Sequence, residues 1–227
     1  MVAPLKIGLA GLGTVGAAVA RLIEQEAGSF PLRCGRPVEV VAVTARSRSK
    51  KRDLGSRSLR WASDPVALAT DPEVDVFVEL MGGEGDPAKS AIEAALKAGK
   101  AVVTANKALL ARHGVALAAL AEEHGVALDF EAAVGAAIPI VKTLREGLAG
   151  NVFDRVYGIL NGTCNYILTR MEQEGLSFAD CLKDAQRLGY AEADPTFDIE
   201  GYDTAQKLAI LASLAFGIKA NPEAIFV

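Results

Sequence analysis

The chain has 227 residues, long enough for one large domain or two modest ones with a buried core. Apolar residues make up 51% of it, and 24 Lys and Arg against 28 Asp and Glu leave a formal charge of −4, which offers no general attraction to nucleic acid or to an anionic membrane. Cys34, Cys164 and Cys181 are scattered, with no CxxC pair and no metal-ligand spacing, so neither a disulfide framework nor a zinc site is expected and a reducing cytoplasmic setting fits.

The first element is a strand, "LKIGLA" (5–10), running into the glycine motif "GLGTVG". The apolar stretch there is too short to span a membrane, and no later segment reaches ~18 uninterrupted apolar residues. A helix over 14–27 follows, then strands "VEVVAVT" (38–44) and "VDVFVEL" (74–80), a helix over 87–98, strand "AVVTAN" (101–106), a helix over 108–124 and strand "VALDFEAAV" (126–134). Short Val/Ile/Leu-rich runs alternating with helical patterns predict an α/β fold, a Rossmann-type doubly wound parallel sheet, over residues 1–130.

A second domain, 131–227, opens on the small-residue stretch "AAVGAAIPI". "VKTLREGLAG" reads as a helix ended by glycine, "FDRVYGIL" as a strand, and 163–174 and 177–188 as helices, the last opened by the capping-box pattern "SFAD". The apolar "LAILASLAFG" completes an α+β arrangement.

Between a strand and a helix, Gly11, Gly13 and Gly16 give GxGxxG its meaning: a tight turn, close backbone approach to a pyrophosphate, and close helix–strand packing. The helix start at Thr14 and Val15 offers N–H groups and a partial positive charge to phosphates. An NAD-selective site places an acid at the end of the second strand, but here "VTARSRSK" puts Arg46 there, with Arg48, Lys50 and Lys51 behind it. Such a cluster suits a 2′-phosphate and favours NADP, with NAD as the alternative and a solvated basic loop as the plainer reading.

"TANK" sets Lys107 at the carboxyl edge of the sheet, where open α/β folds bind ligands, although lysines also simply begin exposed helices. Asp203 and Lys207 are four apart on one helix, a favourable ion-pair spacing worth ~0.3–0.5 kcal/mol if exposed. The helix they enter is apolar nearly all round, so Lys207 is expected at the edge of a dry region, paired to Asp203. Around it Glu192, Asp194, Asp198 and Glu200 form an acidic crowd able to accept a cationic substrate group. In "NGTCNY", Asn161, Thr163 and Asn165 can cap a helix or bind a ligand. Cys164 could be an acidified nucleophile for an acylating semialdehyde dehydrogenase, or a small buried thiol.

Together, "GLGTVG", "TANKALLA", "EAAVGAAIPI", "GILNGTCNYIL" and "LGYAEADPTFDIEGYDTAQKLAILASLAFG" resemble homoserine dehydrogenase over nearly the whole chain and in the expected order. The resemblance implies NAD(P)H-dependent interconversion of L-aspartate 4-semialdehyde and L-homoserine, with Lys207 as proton donor, Asp203 as its partner and Lys107 as a second catalytic lysine. It further implies that Glu192, Asp198 and Thr163 bind the amino-acid substrate, and that a monovalent cation, sodium, is held by oxygens at Glu131, Val134, Ala136 and Ile138. A cytoplasmic homodimer joined through the second, substrate domain is also implied, along with further family sequence beyond "NPEAIFV". A non-catalytic NADP-binding fragment or paralogue is the remaining alternative.

Overall fold

The computed structural model describes residues 2–55 and 58–227 and divides into two units, one of residues up to Ala137 and one of Ile138–Val227. In the first unit, Val- and Ile-rich runs bury both faces: Leu9, Ala42, Val43, Phe77 and Val102 are sealed from solvent. They lie on β1 (Leu5–Ala10), β2 (Val38–Thr44), β4 (Val76–Glu79) and β5 (Ala101–Thr104); the edges are β3 (Arg60–Trp61) and β6 (Leu128–Asp129). All neighbours pair in parallel, in the order β3-β2-β1-β4-β5-β6. The order reverses between β1 and β4, so a crevice opens there at the carboxyl ends of the strands.

The crossovers of this unit carry α1 (Thr14–Gln25), α2 (Phe30–Cys34), α3 (Pro65–Ala69), α4 (Ala88–Lys97) and α5 (Lys107–Glu123). Helix α4 shows why such segments coil: Ala88, Ala91, Ile92, Ala95 and Leu96 recur at helical spacing and are all buried. The short β3, α2 and α3 escape the sequence patterns because each is five residues or fewer. At the other edge, the strand expected over 126–134 pairs only through Leu128 and Asp129. From Glu131 the helix formers of "EAAV" take over as α6 (Glu131–Val134), whose Ala133 and Val134 are buried, and residues 131–137 pack with the first unit.

The second unit holds α7 (Ile140–Lys142), which runs into a π-helical turn (Thr143–Gly147), then α8 (Gly162–Glu174), α9 (Phe178–Arg187), α10 (Thr196–Ile199) and α11 (Tyr202–Phe216). Ile167, Cys181, Ala185 and Ala191 form a small core there, with Tyr166, Leu176 and Ile199 packed around it. The expected strand over 153–160 is not formed. That stretch has strand-like composition but pairs with no strand among the described residues, and Tyr157 and Ile159 stand exposed. A ladder needs a neighbour to take its N–H and C=O groups, and pattern alone does not supply one. The described part of this unit is therefore helical with irregular connections, where the sequence suggests α+β.

Candidate active site

The first unit contributes a crevice at the switch point. Gly11 has φ +95°, and a side chain there would drive a Cβ to 2.4 Å from the Leu80 carbonyl oxygen. At Gly16 a Cβ would sit 1.9 Å from the Gly11 carbonyl oxygen, so helix α1 can begin this close to the turn only with glycine. Gly13 differs. A Cβ there would meet nothing within 4 Å, and no side chain caps α1, so the helix start faces open space of the kind a pyrophosphate fills. Thr14 and Val15 open that helix, and Val15 is exposed. The Gly11 N–H donates to the Thr44 carbonyl (2.9 Å), which sets the end of β2, and the exposed Arg46 just beyond it, beside the loop.

Across the crevice, Glu79 closes strand β4 with no solvent exposure. Its Oε1 accepts the N–H groups of Met81 (2.7 Å) and Gly82 (3.1 Å), and its Oε2 accepts the Thr104 hydroxyl (2.6 Å). The Asn106 N–H donates to the Thr104 oxygen (3.0 Å), the Asn106 side-chain amide donates to the Gly83 carbonyl (2.8 Å), and its Oδ1 caps α5 at the Leu109 N–H (3.2 Å). A buried carboxylate is tolerated when its oxygens are satisfied in this way. Lys107, the first residue of α5, thus follows a fixed Asn106 cap shortly after the carboxyl end of β5. Sequence reading omits Glu79, Thr104 and Asn106. The signal for Glu79 is present, an acid directly after the apolar run Val76, Phe77, Val78.

The second unit contributes an open pocket of about 500 Å³ walled by Asn161, Thr163, Tyr166, Tyr190, Asp198, Asp203 and Lys207. Lys207 Nζ donates to Asp203 Oδ2 (2.7 Å) and to the Leu160 carbonyl (2.8 Å); the Lys207 side chain is 19% exposed and that of Asp203 5%. Pairing of this kind keeps an ammonium tolerable away from water. Asn161 organises the acids. Its amide nitrogen donates to both Asp198 Oδ1 (2.8 Å) and Asp203 Oδ2 (2.9 Å), while its Oδ1 caps α8 at the Cys164 N–H (2.8 Å). One neutral side chain thereby holds two carboxylates close together. Thr163 donates to the Tyr190 carbonyl (2.6 Å) and lies 3.4 Å from Asp198 Oδ2.

Cys164 is partly buried. Its thiol donates to the Asp198 carbonyl (3.2 Å), and burial, followed by the Asp198 and Asp203 carboxylates, pushes its pKa up. A nucleophilic cysteine needs the opposite shift, which weighs against the acylating reading.

Asp198, Asp203, Lys207 and Thr163 are therefore brought together, joined by Asn161, which the sequence offers as a cap or a ligand-binding residue. Glu192 is exposed and outside the pocket wall, and its backbone carbonyl accepts the Gln186 amide (3.1 Å). Lys107, Gly11, Gly13, Thr14, Val15, Gly16 and Arg46 gather on the first unit instead. Of the turn expected to hold a cation, Glu131 and Val134 lie in α6, Ala136 follows in the same unit, and Ile138 begins the second. Among the described residues no group of three or more His, Cys, Asp or Glu side chains is placed to hold a metal, and no helix is long and apolar enough to cross a membrane.

A parallel sheet wound both ways from its centre, with a glycine turn at a helix start, defines an NAD(P)-binding protein of the Rossmann class. Residues 11–131 match the family model described as the homoserine dehydrogenase NAD binding domain, and residues 139–227 match the model described as homoserine dehydrogenase. Homoserine dehydrogenases of Neisseria gonorrhoeae and Pseudomonas aeruginosa are 48% and 49% identical over 99% and 95% of this chain, which cover 51% and 49% of theirs. A Thiobacillus denitrificans homoserine dehydrogenase structure superposes with a TM-score of 0.89 at 47% identity, covering 97% of this chain and 51% of that one. A hyperthermophilic archaeal homoserine dehydrogenase in complex with NADPH has a TM-score of 0.80 at 30% identity, covering 95% of this chain and 71% of its own. This chain belongs to the homoserine dehydrogenase family. It spans about half the length of the curated relatives it matches.

Proposed function

We propose that this chain carries the NAD(P)-dependent interconversion of L-aspartate 4-semialdehyde and L-homoserine. The single observation that supports this most is the buried Lys207–Asp203 pair on the pocket wall. An ammonium has three donors, and its bonds to Asp203 and Leu160 leave one for a ligand oxygen. When bound, the nicotinamide supplies or accepts the hydride. Lys207 donates its proton to the aldehyde oxygen as charge develops there, and takes it back in the oxidative direction. Asp203 orients the ammonium through the bond it accepts from Nζ. Asp198 and Thr163, on the pocket wall, are assigned to the amino-acid end of the substrate; the same role for Glu192, outside that wall, and the second lysine's role for Lys107 rest on family membership.

The crevice fits a dinucleotide, with open space at Gly13 for the pyrophosphate. Arg46, exposed beyond β2 where an NAD-selective site carries an acid, supports NADP over NAD. Assignment of a sodium ion to Glu131, Val134, Ala136 and Ile138, of a homodimer to the second unit, and of the cytoplasm as its location rests on family membership. No proton or hydride step involves that ion.

The test is the initial rate of homoserine-dependent reduction of NADP and NAD by this chain and by Lys207→Ala, with nucleotide affinity measured alongside. The variant should bind NADPH as before and lose turnover by at least a hundredfold, on the order of a general acid's contribution. Wild-type turnover in Lys207→Ala would remove the ammonium from the reaction. Tight NADPH binding by the unmodified chain with no homoserine-dependent reduction would favour the non-catalytic alternative.

A further inference from the structure

The sequence 46–51 places four cations in six residues, and like charges so close would push a free loop open. Arg52 closes it. Its Nε donates to the Leu12 carbonyl (2.8 Å), inside the glycine loop, while its NH1 donates to the carbonyls of Ser47 (2.7 Å) and Lys50 (2.8 Å). One guanidinium thus joins the backbone that cradles a pyrophosphate to the backbone that bears the cations. The planar fork makes this possible, since its donors point in fixed, divergent directions toward several acceptors at once. Arg48 is drawn over the Trp61 ring (5.5 Å), and Arg21 of α1 donates to the Asp53 carbonyl (2.9 Å), fixing the far side. Arg46, Lys50 and Lys51 remain exposed on the turn so formed.

We propose that Arg52 is a positioning residue for coenzyme choice: it folds the 46–51 turn against the glycine loop so that the cations of that turn meet a 2′-phosphate. This rests on the NADP reading above. Nε and NH1 of Arg52 bond to backbone carbonyls, so the effect proposed for them passes through the turn's geometry. A nucleotide lacking the 2′-phosphate has no use for that geometry, and its affinity should barely change.

The experiment is equilibrium titration of this chain with NADPH and with NADH, at one low salt concentration, for the wild type, Arg52→Met, Arg52→Lys and Arg46→Ala. Wild type should favour NADPH. Both Arg52 variants should lose about tenfold in NADPH affinity, the scale of one charge-assisted hydrogen bond, with NADH affinity within about twofold of wild type. Arg52→Lys keeps the charge but not the fork; if it keeps the NADPH:NADH ratio, charge alone matters and the proposal is overturned. An equal loss for both nucleotides overturns it too, since that marks general destabilisation of the crevice. Should Arg52→Met fail to fold by circular dichroism, Arg52→Lys decides alone. Wild type binding the two nucleotides equally would sink the NADP reading and this proposal with it, whereas a discriminating wild type with ratio-preserving variants sinks only the proposal.

Discussion

Asn161 is the position where one atom's identity should matter most. Its amide nitrogen lies 2.8 Å from Asp198 Oδ1 and 2.9 Å from Asp203 Oδ2, and its oxygen caps α8. Asn161→Asp is close to isosteric and retains the cap, because aspartate is as good an N-cap as asparagine. It also turns two donor–acceptor contacts into contacts between carboxylates. At an effective dielectric of about 20, unit charges at that separation repel by about 6 kcal/mol per contact, which the site would relieve by taking up a proton. A net loss of about 3–5 kcal/mol at pH 8 is expected, the range for a buried charge left facing the wrong partner. The introduced carboxyl has its folded-state pKa raised above an unfolded value of about 3.9. Its penalty is thus complete at pH above the raised value and fades as pH falls through it, so the deficit should shrink between pH 8 and pH 5. Asn161→Ala loses the cap and both donors but adds no charge, for about 2–4 kcal/mol with little pH dependence over that range. Urea denaturation of the three proteins at both pH values measures this directly. A variant Asn161→Asp as stable as wild type at pH 8, or a deficit unchanged at pH 5, would refute the idea that a neutral amide is what holds the two acids together.

Gly13→Ala should leave thermal stability within about 1 kcal/mol of wild type, since its Cβ enters open space at an ordinary φ, while NADPH affinity in a titration drops at least about tenfold if a pyrophosphate packs there. Gly16→Ala should instead lower the unfolding midpoint outright, because its Cβ would collide with the Gly11 carbonyl. Thr104→Val should destabilise by about 2–4 kcal/mol in denaturant titrations, stranding Glu79 Oε2 and the Asn106 N–H in a buried place, and Thr104→Ser should recover most of it. In alkylation with iodoacetamide near pH 7.5, mass spectrometry should find the exposed Cys34 modified first, Cys164 slowly because its pKa is raised, and Cys181 only on unfolding; rapid labelling at Cys164 would reopen the nucleophile reading.

Much of the first unit is legible because its elements repeat a period. Strands β1 and β2 fall on the same residues that apolar runs mark, and α1, α4 and α5 follow the helical spacing to within a few residues. Edges are not legible in that way. Whether 126–134 continues as a strand depends on what lies beside it, and whether 153–160 pairs depends on a neighbour that composition does not name. At the site, Asp203 and Lys207 announce themselves by a four-residue spacing on an apolar helix, since both partners lie on one element. Asn161 joins Asp198 across 37 residues and Glu79 joins Thr104 across 25, and no local pattern encodes such long-range hydrogen bonds. Glu192, which the motif brings forward, is exposed and lies outside the pocket wall, next to the buried Ala191.

The glycine turn with its basic loop and the carboxylate cluster with its ammonium belong to separate units, one ending at Ala137 and the other beginning at Ile138. On the proposed roles, substitutions around Arg46 and Arg52 fall in one unit and the Asp203–Lys207 pair in the other, so coenzyme choice and proton handling are open to separate re-engineering.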